Sequence, residues 1–290
     1  IAEVGSLGGR DAARTIEARD RIVSPGFIDM MGQSSLVLIT DPLSAESKLR
    51  QGITTYLSGE GGSPAPQSFE TQSTPLIIDG DTVRWHTYAE YFAIMERVGI
   101  PINVVHNVGL TQVRRVVLGE GDVQPTAAQL EEMKTLVRQA MEDGAVGTST
   151  SLIYPPAVYA STEELIELTR VAGEYGGVYF THMRNESHAV LEAIREAITI
   201  GEAAGVPVHI YHLKIRGREH WGQIGRVINT IQSAMAEGLE VTADQYPYTA
   251  MQHPWHRLMP RWIQDAPRSE TIPPFRDRQF RDRVKADPEF

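Results

Sequence analysis

The sequence predicts an α/β fold: a (β/α)8 barrel of the TIM type, incomplete, with strand eight missing and the remnant of a small β domain in front of it. Three observations predict it. From about residue 100 one unit repeats, a short apolar strand, a polar loop, an amphipathic helix and a glycine. Strands that alternate with helices pair in parallel through right-handed crossovers. An open doubly wound sheet would usually bring a phosphate loop, and neither G-x-G-x-x-G after a strand nor G-x-x-x-x-G-K-[ST] is present.

Residues 1–23 stand outside the repeat. There "TIEARDRIVSPGF" reads as a short strand leading inward, and the segment is expected to be what is left of a small β domain. The barrel is expected over 24–290. "SPGFIDM" and "GITTYLS" are its first strands, with "PLSAESKLRQ" as the helix between them. "PINVVHNVG" is the third. Thr126 with Gln129 makes a capping box, and Leu130, Met133, Val137, Ala140 and Met141 then fall on one helical face. The strand "AVGTSTS" follows. Ser161 with Glu164 makes a second box, opening a helix that stops at Gly176 and Gly177. "VYFTHM", the helix "AVLEAIREAITIGEAAG" and the strand "VPVHIYHLK" come next. A helix carrying Ile224, Val227, Ile228, Ile231 and Met235 ends at Gly238, before the strand "LEVTADQYPY". The strands lie near residues 27, 54, 103, 146, 179, 208 and 242, one short of a closed barrel. After about residue 250 a Pro-, Trp- and Arg-rich stretch reads as the start of an insertion, so the chain is expected to stop before strand eight.

Composition narrows the partners. The chain has 290 residues, 41% hydrophobic and 22% charged, with a net charge of -10. That balance argues against nucleic acid or an anionic membrane, which need clustered Lys and Arg. The short basic runs "RGREH" and "RDRQFRDRVK" read as solvated surface. There is no cysteine, which excludes disulfides, thiolate metal ligands and a Cys nucleophile. No apolar run approaches the roughly 18 residues of a membrane span. The first residue is Ile and no signal peptide is visible, so the start reads as processed or cut away. A small-molecule substrate is the expected partner.

Catalytic groups of such barrels sit at the C-terminal ends of strands. These ends carry Asp29, Met31 and Gln33; Glu60; His106 and Asn107; Ser149, Thr150 and then Tyr154; His182, then Arg184 and Glu186; His212, then Lys214; and Asp244, Tyr246 and Tyr248. Strand alternation puts Val178, Phe180 and His182 on one face. It likewise puts Val208, Ile210 and His212 on one face, with His209 pointing the other way. His182 and His212 are therefore expected to face the barrel interior from adjacent strands. A lone His at a strand end is more often structural; for this adjacent pair, ligand and structural group both stay open. Glu60, in the Gly-rich turn "SGEGGSPAP", is the carboxylate best placed to complete a set of three, its alternative being an exposed loop acid. Two imidazoles and a carboxylate hold zinc and leave a position open for water. Asp29 and Asp244 read as rim or supporting acids. Tyr154 and Lys214 read as anchors for a substrate carboxylate, or as a packed Tyr and a surface Lys. His188, His220, His253 and His256 read as surface or loop residues.

The strings "SPGFID", "QGITT", "GAVGTSTSLIYPP", "YASTEEL", "YGGVYFTHMRNE", "AGVPVHIYHLK", "WGQI" and "VTADQYPYTA" are similar, in order from about residue 20 to 250, to the N-acyl-D-amino-acid deacylases (D-aminoacylases) of the amidohydrolase superfamily. The resemblance implies a barrel beside a small β domain and zinc-dependent hydrolysis of an amide to a carboxylate and a free D-amino acid. It implies that His182 and His212 are the tight zinc ligands, that Tyr154 and Lys214 hold the substrate carboxylate, and that the "YPYTA" tyrosines, Tyr248 among them, line the pocket. Three departures stand out. Met31 and Gln33 occupy the positions of a His-x-His pair, Gly61 that of a Cys metal ligand, and Leu110 that of a His. The family's acid-base Asp lies on strand eight, which places it beyond Phe290 here. The expectation is one Zn2+ ion at His182, His212 and Glu60, with the second, weaker position lost. The rival is a non-catalytic barrel that binds a small carboxylate ligand or a partner. A third reading keeps catalysis but turns it on another amide, a cyclic imide or a peptide.

Overall fold

The computed structural model describes residues 3, 5, 8, 11–72, 75–251, 259–264 and 273–287. His253 and His256 lie outside them. The chain divides into two compact units, Ile1–Asp244 and Gln245–Phe290.

The first unit opens with β1 (Phe27–Asp29), α1 (Leu36–Thr40), α2 (Glu46–Arg50) and β2 (Ile53–Ser58). An antiparallel hairpin, β3 (Leu76–Ile78) and β4 (Asp81–Val83), interrupts the alternation before α3 (Tyr88–Val98). Then come β5 (Asn103–His106), β6 (Val108–Gly109), α4 (Leu110–Leu118), α5 (Ala127–Glu142), β7 (Gly147–Ser151), α6 (Thr162–Gly173), β8 (Val178–His182), α7 (Val190–Ala204), β9 (Val208–Ile210), α8 (Ile224–Ala236) and β10 (Val241–Ala243). Pairing runs β1–β2–β5 in one ladder and β6–β7–β8–β9–β10 in the other, and every neighbouring pair in both is parallel. β5 and β6 are one course of chain broken at Asn107, so strands stand at each of the seven expected positions. Among the described residues no ladder joins β10 to β1.

The expected strand within "TIEARDRIVSPGF" is not formed: among the described residues of 1–26 none is in a strand, and Ile16, Ile22 and Val23 are exposed. A strand needs a neighbour to satisfy its backbone, and this segment has no ladder partner. The helix starts follow local chemistry. Thr126 and Gln129 form the reciprocal capping box at α5, and Thr87 with Glu90 forms another at α3. At α6 only half of the expected box forms. Ser161 accepts from the Glu164 backbone N–H, but the Glu164 carboxylate is drawn away into a buried ion pair with Arg114. Removing one partner of such a pair strands the other charge, which outweighs a capping bond.

Two apolar layers and a small satellite cluster of Leu38, Ala45, Tyr56 and Ile102 result. The larger lies between strands and helices, with Met133, Val137, Leu168, Tyr179, Ile194, Val208, Ile210 and Val227 among its buried members. The smaller layer joins Leu57, Phe180 and Tyr211, with Met30, Met31, Val105 and Val178 packed on it. Its members come from β2, β5 and the end of β1 in one ladder and from β8 and the end of β9 in the other. They meet across the concave side of the sheet. No helix of the described residues is long and apolar enough to cross a membrane. In the second unit, short helices span Arg261–Gln264 and Arg278–Lys285, and Tyr248 is exposed and stacked on Tyr246.

His106, at the end of β5, is buried among the rings of Tyr88, Tyr91 and Phe92, with Ser35 Oγ 3.2 Å from its Nε2. Burial pushes its pKa down to about 3, so the folded chain keeps this ring neutral. An unfolded His titrates near 6.5, and below that pH the unfolded chain takes up a proton that the folded chain refuses. Stability from this residue is therefore complete above pH 6.5. It is expected to fall by up to about 1.4 kcal/mol per pH unit below that value. Urea unfolding of the metal-free protein between pH 6.5 and 5 should show this slope, and His106→Gln should flatten it. Parallel pH profiles for the two proteins would contradict the assignment.

Candidate metal centre

Glu60 sits two residues past β2, in a turn that only glycine can flank. Gly59 and Gly61 have φ of +109° and +75°. The turn is pinned from three sides. The Gly59 carbonyl accepts from Tyr211 Oη at 3.1 Å. The Gly61 N–H donates to Ser149 Oγ at 3.1 Å, and its carbonyl accepts from the Thr111 N–H at 3.0 Å. Tyr211 Oη also accepts from Asn107 Nδ2 at 2.8 Å, so the ends of β2, β5 and β9 are tied through one phenol.

His182 ends β8, and Phe180 shares its face and belongs to the concave layer. On β9 the alternation read from sequence is corrected. Val208 and Ile210 pack outward in the helix-facing layer, and Tyr211 is the inward residue. Pairing agrees, since Phe180 lies opposite His209. Strand geometry would carry His212 outward. It reaches the site because its backbone turns left-handed, at φ +39°, with its N–H donating to Asp244 Oδ1 at 2.5 Å. Asp244 Oδ2 meanwhile meets His209 Nε2 at 3.0 Å, so this acid supports the strand end.

These turns bring three groups together. His182 Nδ1 lies 2.6 Å from Glu60 Oε1, His212 Nε2 lies 3.1 Å from the same oxygen, and the two nitrogens are 3.0 Å apart. All three residues are buried or nearly so. The donor set is two imidazole nitrogens and one carboxylate oxygen. A zinc–ligand bond is about 2.0–2.2 Å, and the triangle is small enough for one such ion to reach all three atoms.

Behind the histidines lies Glu186, an acid four residues after His182 to which the sequence alone assigns no role. It is buried, with Oε1 3.1 Å from His212 Nδ1, 3.5 Å from His182 Nε2 and 2.5 Å from Lys214 Nζ. Lys214 Nζ also stands 2.9 Å from His212 Nδ1 and donates to the His212 carbonyl. Lys214, read as an anchor for substrate, thus already faces a carboxylate. Tyr154 sets its ring edge-on to His182, 5.8 Å between centroids. Tyr248 belongs to the other unit. Asp29 is ion-paired with Lys48, His188 is exposed, and His220 is partly exposed beside Glu219.

Charge follows the contacts. Burial works to raise the Glu60 carboxyl, but hydrogen bonds from His182 and His212 outweigh it and hold Glu60 well below the usual carboxylate range. Burial likewise opposes ionisation of Glu186, and the His212 hydrogen bond with the charges of His182 and Lys214 brings its pKa down to about 2. Burial disfavours a charged His212, yet Glu186 and Glu60 raise its pKa to about 9. Burial lowers Lys214 against the pull of Glu186.

The departures from the resembled pattern have structural counterparts. Met31 packs into the concave apolar layer. Gln33, left-handed at φ +65°, donates from Nε2 to Glu60 Oε2 at 2.7 Å. Gly61 has no room for a side chain: an added Cβ would stand 2.5 Å from the Ser151 nitrogen. Leu110 is buried in the helix-facing layer.

Comparison with known proteins gives consistent relatives. No protein-family model matches the chain. It is 36% identical over 251 residues to the N-acyl-D-glutamate deacylase of Alcaligenes xylosoxydans xylosoxydans, covering 86% of this chain and 51% of that protein. The N-acyl-D-glutamate deacylase from Bordetella bronchiseptica, solved with zinc and a phosphonate inhibitor that mimics the tetrahedral intermediate, superposes with a TM-score of 0.76 at 34% identity, over 85% of this chain and 52% of that one. A D-aminoacylase structure describing a binuclear metal centre, with one-metal activation and second-metal attenuation, gives 0.75 at 34% identity, over 86% and 52%. The chain spans about half the length of the curated relatives it matches most strongly.

The Gly61 geometry yields a test. Gly61→Ala adds a Cβ into the Ser151 backbone at a left-handed position. The left-handed penalty alone is about 1–2 kcal/mol. Urea unfolding should show a loss of at least that size, and an unchanged midpoint would contradict the tight turn.

Proposed function

The chain is related in sequence and fold to the N-acyl-D-amino-acid deacylases of the amidohydrolases, and from that premise we propose that it carries the metal-binding half of an enzyme that hydrolyses the amide of N-acyl-D-amino acids or close analogues. The observation that carries the reading is the convergence of Glu60, His182 and His212 on one point. In this reading they hold one zinc ion. When bound, the ion supplies a lowered pKa for an attacking water and polarisation of the amide carbonyl.

The protein residues do the rest. Glu60 gives the ion a carboxylate where the resembled proteins use a thiolate, with Gln33 holding its second oxygen. Met31 closes the second metal position with apolar packing. Tyr154 and Lys214 orient the substrate carboxylate, Lys214 sharing its charge between that group and Glu186; Tyr248 belongs to the same proposal as a pocket residue. Proton transfer falls to an Asp on an eighth strand after residue 290. Asp244 is not that group, because both of its oxygens are committed to His212 N–H and His209. The edges of β1 and β10, which no ladder joins among the described residues, are where that eighth strand would close the barrel, and in the same scheme residues 1–23 would join a small β domain.

One observation favours the non-catalytic reading. Gln33 and Met31 fill the positions where imidazoles were expected. Metal analysis separates the two readings. The metal proposal expects about one equivalent of tightly bound zinc, weakened at least about 100-fold in a His182→Ala, His212→Ala variant. Less than about a tenth of an equivalent, with carboxylate-ligand binding intact, would support the binding barrel instead. For the loaded full-length protein, N-acyl-D-amino acids should be hydrolysed faster than their L-enantiomers. Equal rates, or turnover of dipeptides alone, would move the assignment to another amide.

A further inference from the structure

His182 and His212 each show one nitrogen to Glu60 and the other to Glu186. His182 points Nδ1 at Glu60 and Nε2 toward Glu186 Oε1, 3.5 Å away. His212 does the reverse, with Nε2 toward Glu60 and Nδ1 3.1 Å from Glu186 Oε1. One buried oxygen therefore stands behind both rings. Among the described residues, His182 Nε2 has no hydrogen-bond partner, and neither has the other Glu186 oxygen, Oε2. Glu186 is held in place by Lys214 Nζ at 2.5 Å.

A neutral imidazole carries one proton and offers one lone pair. A metal takes the lone pair, so the proton must reside on the far nitrogen, and an acceptor there fixes both the tautomer and the ring plane. We infer that Glu186 is a positioning residue shared by both histidines: in the metal-loaded protein it accepts from His212 Nδ1–H and, on closing the 3.5 Å gap to the unpartnered His182 Nε2–H, from His182 as well, and so presents His182 Nδ1 and His212 Nε2 as lone pairs toward Glu60. The two rings need opposite tautomers, and a single carboxylate between them selects both. Lys214 has a second role in this arrangement. If it donated to His212 Nδ1, the ring proton would be forced onto Nε2, the metal-facing nitrogen. Lys214 Nζ stands 2.5 Å from Glu186 Oε1, 3.2 Å from the His212 carbonyl and 2.9 Å from Nδ1; donation to the two oxygens in place of the nitrogen leaves Nδ1 protonated. The inference rests on the metal-site reading above, and its test separates the two.

Zinc affinity of the full chain, measured by competition with a chromogenic chelator, is the first readout. Glu186→Gln keeps the shape and one acceptor oxygen but loses the charge, and Glu186→Ala removes the acceptor. Losing such a carboxylate typically weakens a metal 10–100-fold. Gln is expected to cost about 10-fold and Ala nearer 100-fold, both with cooperative unfolding retained. Affinity within twofold of wild type in both variants, while the double histidine variant loses zinc, would overturn the role of Glu186 and leave the metal site standing. Absence of zinc binding in wild type would overturn both. The second readout needs no variant. Nitrogen-15 correlation spectra of the zinc-loaded protein should show His182 protonated at Nε2 and His212 at Nδ1. The opposite tautomer on either ring would contradict the inference.

Discussion

One left-handed residue decides whether this chain has a site at all. β9 turns Tyr211 inward, and regular pleating would throw His212 into the helix layer. At φ +39° the backbone breaks the alternation and His212 turns back over the sheet end. Such a conformation costs a non-glycine residue about 1 kcal/mol or more. The Asp244 carboxylate on the His212 N–H, together with the contacts of its ring, offsets that cost. Consecutive residues then serve the same acid from two directions. Tyr211 pins the turn that carries Glu60, and His212 brings a nitrogen against its carboxylate.

Burying charge is tolerable only in company. Glu60, His212, Glu186 and Lys214 form a continuous chain of alternating sign across the rim, with His182 against both acids. Without a cation in the site a proton on His212 balances the two acids, and a bound metal ion would take over that charge. The opposite wall is arranged differently: Met31 adds to an apolar layer, and Gln33 contributes an uncharged amide. The site is thus one-sided, with its donors on β8, on the end of β9 and on the turn after β2. That asymmetry suits a single cation and gives a physical reason why an acid at position 60, one residue before a glycine that admits no side chain, is the available third donor.

Much of this was legible in the sequence. Parallel strands announce themselves as short apolar runs between amphipathic helices, and the seven positions read that way are strands. The buried face of α5 followed from spacing alone, since Met133, Val137, Ala140 and Met141 recur at helical intervals. Histidines at the ends of neighbouring strands, with an acid in a Gly-rich turn, drew attention to residues that do lie together. What was not legible depends on three-dimensional competition. The parity of β9 failed because Val208 and Ile210 are equally apolar whichever layer they join. Glu164 left its capping box because Arg114 is buried beside it. Glu186 carried only a faint signal, an acid four residues after His182, and its burial against both histidines follows from the loop after β8. The strand expected before residue 27 has no neighbour to pair with among the described residues.

An oxygen of Glu60 and one nitrogen each of His182 and His212 converge on one point in space. A crystal of the full-length protein grown with zinc, measured on both sides of the zinc absorption edge, tests it most directly. An anomalous peak about 2.0–2.2 Å from all three atoms is the expected result. Clear density for the three side chains with no anomalous signal between them, or a peak bound elsewhere, would contradict it.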